Sequence, residues 1–218
     1  IRPEGLAAWN LQQAVTGHIS ATRARLPQAC WSDAGSMLCL QGSLTETGRE
    51  AAFRLQDLPL EVLAGLLPAG VQLQGMLNGN GNYQQDSSAP ATAHAELMTT
   101  AGELRVVNES AEPDTLLAFA PGSMTLDLDA RLARLELALP LQANAGNLAG
   151  RASISAGKQG WADGPLSGEV LAELPDIAFA GHLLPDVSNL HGRLDGNIRL
   201  GGTAAAPRLQ GRLLLSDG

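Results

Sequence analysis

Aromatic side chains are scarce. Three Trp, one Tyr and three Phe make 3% of 218 residues, so Leu, Ala and Val supply most of a 44% hydrophobic content. That disfavours a compact pocket for one planar ligand, because such sites usually recruit aromatic walls around a few convergent polar groups. Charge is scarce as well, at 17% against the usual quarter. With so much apolar content this argues against intrinsic disorder. No apolar run approaches the roughly 20 residues that span a bilayer, and the amino end has neither the charged nor the apolar region of a signal peptide. Basic residues are few and scattered in a net charge of -8, which argues against a nucleic-acid partner. The chain starts at Ile1 without Met and stops at Asp217-Gly218 directly after an apolar strand pattern, as expected of a piece of a longer protein.

Cysteine is reduced to two residues, Cys30 and Cys39. A turn centred on Ala34-Gly35 would place Trp31 opposite Leu38 and Cys30 opposite Cys39, and directly opposed residues of an antiparallel pair are spaced for a disulfide. The pattern fits a hairpin disulfide in an oxidising compartment such as a periplasm, with two buried thiols as the alternative. A metal site has little support, since no second Cys or His pair with ligand spacing accompanies them.

Glycine, by contrast, is abundant, with 25 residues, and it is patterned. Leu190, Gly192, Leu194, Gly196, Ile198 and Leu200 fall on one side of an alternating strand, with His191, Arg193, Asp195, Asn197 and Arg199 on the other. After the turn signal Gly201-Gly202-Thr203 to Pro207, alternation resumes with Leu209, Gly211, Leu213 and Leu215. Met124, Leu126 and Leu128 show the same texture, which changes parity near Asp129-Ala130-Arg131 and continues as Leu135, Leu137, Leu139 and Leu141, the mark of a turn or bulge. Further strands are expected around Val15 to Ala21, Met37 to Leu44, Ala52 to Leu55, Val71 to Leu77, Glu103 to Val107, Leu148 to Ile154 and Leu166 to Ala172. Many short strands without long helices predict an antiparallel all-β architecture. Two proline-bracketed segments, Leu58 to Pro68 and Leu174 to Pro185, have the apolar spacing of short helices.

The chain also repeats itself. Leu67-Pro68 matches Leu184-Pro185, Leu73-Gln74-Gly75 matches Leu190-His191-Gly192, and Pro90 matches Pro207, each pair 117 residues apart. Two units, 58–101 and 174–218, thus share a helix-then-hairpin plan, within one continuous β segment spanning 1–218. The first departs from the second. Gln84-Gln85-Asp86 stand where the second has Gly201-Gly202-Thr203, and His94 and Glu96 where it has Gly211 and Leu213. Such repetition implies a sheet extended by adding units.

The leucine-proline helix, the strand Leu190 to Thr203, the return strand Pro207 to Leu215 and the paired cysteines upstream resemble the TamB family of Gram-negative envelope proteins, within the AsmA-like group. The resemblance covers essentially the whole chain. It implies an internal or carboxy-terminal portion of a large protein anchored in the inner membrane, crossing the periplasm as a curled, taco-like antiparallel sheet with an apolar concave face. It also implies an outer-membrane partner, the BamA-like barrel TamA, and roles in phospholipid transport between membranes and in outer-membrane protein assembly, biogenesis and secretion.

Side chains missing from the apolar face let strands bend and leave volume above the backbone. A groove lined by Val71, Leu73, Leu77, Leu126, Leu128, Leu135, Leu137, Leu139, Leu190, Leu194, Ile198, Leu200, Leu209, Leu213 and Leu215 would hold acyl chains at about 0.8 kcal/mol per buried methylene, without direction, so that chains could slide. From the residues alone, a closed sandwich core made by the same leucines stands as the alternative. The resemblance favours the open groove, with phospholipid acyl chains, a TamA-like barrel and the rest of the parent chain as partners, and no cofactor. Catalytic readings have little support. His18, His94, His182 and His191 share no ligand spacing, with His191 on the polar face of its strand; Asp127 and Asp129 alternate with leucines as solvated carboxylates; Gly75, Gly79 and Gly81 lack a phosphate-cradling helix; and neither G-x-S-x-G nor H-E-x-x-H occurs. Asn108-Glu109-Ser110 has no meaning as a sequon without a eukaryotic secretory context. A non-enzymatic bridge is the expectation, with an assembly scaffold that pairs its open sheet edges as the second reading.

Overall fold

Alternation of apolar and polar residues over segments of about ten leaves one way to bury half of each strand, which is lateral pairing into a two-faced sheet. The computed structural model describes residues 9–33, 35–68, 70–106, 114–142, 146–158, 160–179 and 190–217. They form an antiparallel all-β protein. Thirteen strands join in one sheet: β1 (Asn10–Leu11), β2 (His18–Ile19), β3 (Ala24–Asp33), β4 (Ser36–Leu44), β5 (Gly48–Pro59), β7 (Met76–Asp86), β8 (Thr92–Thr99), β11 (Ser123–Leu128), β12 (Leu132–Pro140), β13 (Asn147–Ser155), β14 (Leu166–Leu174), β15 (Arg193–Gly202) and β16 (Pro207–Ser216). Their order follows the chain, with β1 and β2 both beside β3 at one end and β16 at the other. A smaller sheet, ordered β10 (Asp114–Phe119), β9 (Gly102–Val106), β6 (Val71–Gln74), accompanies it.

The cysteine hairpin follows the expected register. β3 pairs with β4 through Trp31 opposite Leu38, Cys30 opposite Cys39 and Asp33 opposite Ser36, and the disulfide is formed. Gly35 takes the positive φ of 109° that the turn requires. Replacing both cysteines by serine is expected to lower stability by about 2–3 kcal/mol, the loop-closure value for so short a loop. Denaturant midpoints with and without reductant check this, and equal midpoints would show that the bond contributes nothing.

In the large sheet two bulges set parity. Pairing shifts between Leu26 and Ala29 in β3 and between Leu55 and Leu58 in β5, so even-numbered leucines before or after each bulge share a face with odd-numbered residues on its other side. At the second bulge Asp57 has φ 48°, and its backbone N–H donates to Asn78 Oδ1 at 3.0 Å.

Several expectations change. The strand expected over Val15 to Ala21 is confined to His18–Ile19. Val71 to Leu77 is two strands, because Gly75 at φ 137° turns the chain out of the small sheet into the large one. The first helix is a single 3-10 segment, Leu60–Leu66. A second helix over 174–185 is not formed by the described part, where Leu174 ends β14 and a turn follows; 180–185 lies outside the described residues. Val107 and Asn108-Glu109-Ser110 also lie outside them. β15 starts at Arg193, since Gly192 at φ 115° breaks the run that begins at Leu190.

The two similar hairpins, β7 with β8 and β15 with β16, differ by one residue in length. Leu77 pairs with Thr99, whereas Leu194, 117 positions later, pairs with Leu215. Counted through the pairing, Ala95 and Leu97 therefore stand where the second hairpin has Gly211 and Leu213, and His94 and Glu96 belong to the opposite face.

Candidate functional site

Directly paired residues of neighbouring strands lie on the same face, so the register sorts every side chain of the large sheet. One row reads Leu11, Trp31, Leu38, Leu55, Gly79, Leu97, Met124, Leu137, Gly150, Val170, Ile198 and Gly211, strand after strand from β1 to β16. The next row runs from Ala29 and Leu40 through Phe53, Gly81, Ala95, Leu126, Leu135, Ala152, Gly168 and Leu200 to Leu209. Neither contains a polar side chain. At about 4.8 Å per strand, each row is roughly 50 Å long.

Several glycines of this face are covered by neighbours. A β-carbon built at Gly196 would lie 2.9 Å from Leu213 Cδ2, and one at Gly168 would lie 2.9 Å from Leu200 Cδ1. The large side chains therefore lean across the gaps, and the surface is an even apolar layer of Leu, Ala and Gly with few rings.

The opposite face is polar. Arg151 pairs with Glu169 at 3.0 Å, Asn197 donates to Glu169 at 3.1 Å, and His94 meets Asp127 at 2.7 Å. A shallow depression of about 520 Å³ lies there, lined by Arg134, Glu136, Arg151, Ser153, Ser167 and Glu169 among others. Cys30 and Cys39 share this face. Among the described residues no group of three or more His, Cys, Asp or Glu is placed to hold a metal ion.

Of the sequence-expected lining residues, Leu77, Leu126, Leu128, Leu135, Leu137, Leu139, Leu194, Ile198, Leu200, Leu209, Leu213 and Leu215 share the apolar face. Val71 and Leu73 sit in the small sheet, and Leu190 precedes β15. Sequence reasoning missed Phe53, Leu55, Leu97, Val170 and Trp31 as members; alternation around them was the available signal.

Exposure separates this face from a filled core. Leu126, Leu135 and Leu137 are 39%, 38% and 38% exposed, and Leu209 and Leu213 are 67% and 63%. The buried cluster lies elsewhere, around Leu60, Phe119 and Leu141, with Leu63, Leu73, Leu77, Leu117, Leu139 and Leu174 against it. Leu77, Leu139 and Leu174 come from the large sheet, so the small unit packs on the apolar side at one end of the strands.

The ends of the strands differ. At one rim lie the segments between β5 and β7, β8 and β11, and β14 and β15, which include the small unit; the other rim has the connections β4–β5, β7–β8, β11–β12, β13–β14 and β15–β16. At the first rim Thr115 and then Arg105 hydrogen-bond Glu103 and hold its carboxyl below the usual range, and Arg193 does the same to Asp195.

No solved structure matches the chain. The family model described as "TamB, N-terminal domain" matches residues 4–215, nearly the whole sequence, and the chain therefore belongs to the TamB family.

Proposed function

We propose that this segment is a non-enzymatic, cofactor-free part of an envelope-spanning TamB protein, and that its apolar face carries the acyl chains of phospholipid between the inner and outer membranes. One observation carries the reading, the two apolar rows that cross the sheet from edge to edge without a polar side chain, with Leu126, Leu135 and Leu137 in them each more than a third exposed. Their width and length exceed the few hundred Å² of apolar patch that a soluble monomer usually tolerates. A saturated chain lying along a row would find methyl and methylene groups at every strand and no hydrogen-bonding group to fix it, which suits passage better than storage. Curling of the sheet about this face, at its many glycines, would enclose the chains further.

A second reading is supported by the edge. β16 is exposed along almost its whole length and offers ten residues of one-sided backbone to another strand, as an assembly scaffold working with an outer-membrane barrel such as TamA would require. One experiment separates the two. Photo-crosslinking residues placed at Leu126 or Leu137 in cells are expected to capture lipid, and the same residue at Thr125 or Glu136, on the polar face, is expected to capture none. Protein adducts from Gln210 on the edge, with no lipid from Leu137, would instead select the scaffold.

A further inference from the structure

The two rims of the large sheet differ in charge as well as in construction. The rim with the insertions is acidic. Asp33, Asp57, Glu61, Glu103, Asp176 and Asp217 lie along it, and among the described residues its two arginines, Arg105 and Arg193, are each paired with a neighbouring carboxylate. The turn rim carries Arg23, Arg49, Arg131, Lys158 and Arg208. Only Arg23 of these is in an ion pair among the described residues, with Glu46 at 3.7 Å. Of the turn rim's carboxylates, Glu46 pairs with Arg23, Glu50 lies beside Arg49 but on the opposite face, and Asp86, Asp129 and Asp163 are locally engaged. Asp86 is hydrogen-bonded to Ser88, Asp129 accepts from the backbone of Arg131 and Leu132 and has Arg134 at 3.9 Å, and Asp163 also has an interaction.

Arg49 has a particular place. It pairs with Leu44 and Gln85 across β4, β5 and β7, which puts it on the same face as Ala51, Phe53 and Leu55, as the one cation on the apolar side among the described residues of the large sheet. Beside it Tyr83 Oη donates to Gln85 Oε1 at 2.8 Å on that side too. The other unpaired cations follow at the β11–β12 turn, the β13–β14 connection and the start of β16, spaced about 10–17 Å apart at the usual strand separation.

We infer that the turn rim is a phosphate track. Resting on the acyl-carrying reading, it assigns the polar end of the lipid a side: tails lie on the apolar face, and the phosphodiester rides along Arg49, Arg131, Lys158 and Arg208. The small unit covers the apolar side at the opposite rim, where the carboxylates would also repel a phosphate. Electrostatics and steric access thus select the same rim, and unpaired cations at intervals supply attraction without a cage, so that an anion can step from one to the next.

The test uses the full-length chain at low salt. Binding of dioleoylphosphatidylglycerol, dioleoylglycerol and glycerol 3-phosphate is measured by native mass spectrometry for three proteins: the wild type, a rim variant (Arg49→Gln, Arg131→Gln, Lys158→Gln, Arg208→Gln) and an outer-face control of equal charge change, placed away from the rim (Arg54→Gln, Arg151→Gln, Arg199→Gln, Arg212→Gln). The wild type is expected to prefer phosphatidylglycerol over diacylglycerol, with the preference reduced at least fivefold in the rim variant and kept in the control. Glycerol 3-phosphate is expected not to compete. Equal preference in rim variant and control overturns the track, as does competition by glycerol 3-phosphate, which would mark a free-anion site. If the wild type binds both diacyl lipids equally, the track alone fails; if it binds neither, the acyl-carrying reading fails with it.

Discussion

Leu137→Asp, alone or with Leu135→Asp, is expected to reduce the lipid recovered with the protein at least tenfold while lowering stability by less than about 1 kcal/mol. Leu135 and Leu137 are each 38% exposed. A carboxylate there keeps its water as long as nothing lies over it, so folding loses little. An acyl chain crossing the same position must strip that water, at a cost of several kcal/mol for an unpaired charge, and each 1.4 kcal/mol is a factor of ten in affinity. A closed sandwich core predicts the reverse, a loss of stability well above 3 kcal/mol, because the charge would be buried in the fold itself. Lipid extraction from purified variants, together with their denaturant midpoints, distinguishes these outcomes. Unchanged lipid in a stably folded variant would remove the apolar face from any role in carriage.

The same contrast explains what was legible in the sequence. Alternation such as Leu135, Leu137, Leu139 states that a strand has two faces, and pairing at the Cys30–Cys39 hairpin could be counted because a single short turn fixes it. Alternation does not state which sheet a strand joins. Val71 and Leu73 alternate as well as Leu135 and Leu137 do, yet Gly75 diverts them into the small sheet, where their partners are Val106 and Leu104. Bulges defeat parity in the same way. The shift at Asp57 moves Leu58 onto the face of Leu55, and the longer first hairpin moves Ala95 and Leu97, in place of His94 and Glu96, onto the face of the glycines. The charge division between the rims is invisible in order along the chain, since Arg49, Arg131, Lys158 and Arg208 are brought to one side only when every second connection falls there. Composition was informative about chemistry for a related reason. Few rings and many glycines argue against a shaped aromatic pocket, and that holds whichever strands supply them.

Phe119→Ala is expected to cost about 3–5 kcal/mol and Leu60→Ala about 2–5 kcal/mol, the values for emptying a packed site, and the loss is expected to fall on the small unit ahead of the large sheet. Each is only 4% exposed, and together with Leu141 they hold Leu63, Leu73 and Leu117 against Leu77, Leu139 and Leu174 of the sheet. Backbone pairing adds a second tie, because Phe119 bridges to Leu141 and the Gln142 side chain donates to the Phe119 carbonyl at 3.0 Å. The ring of Phe119 also lies where a side chain at residue 102 would be, so Gly102 and Phe119 are matched in shape. Leu209→Ala is the control, since at 67% exposure it removes little packing and is expected to stay within about 0.5 kcal/mol. Hydrogen exchange should then show Leu104 and Leu117 amides opening earlier in Phe119→Ala, with those of β12 and β13 unchanged. Equal costs for Phe119→Ala and Leu209→Ala would mean that the small unit has no core of its own. The expected result would instead show the small unit fastened to one rim by its own apolar contacts, leaving Leu126, Leu135 and Leu137 uncovered because the contacts that bury leucine are spent beside them.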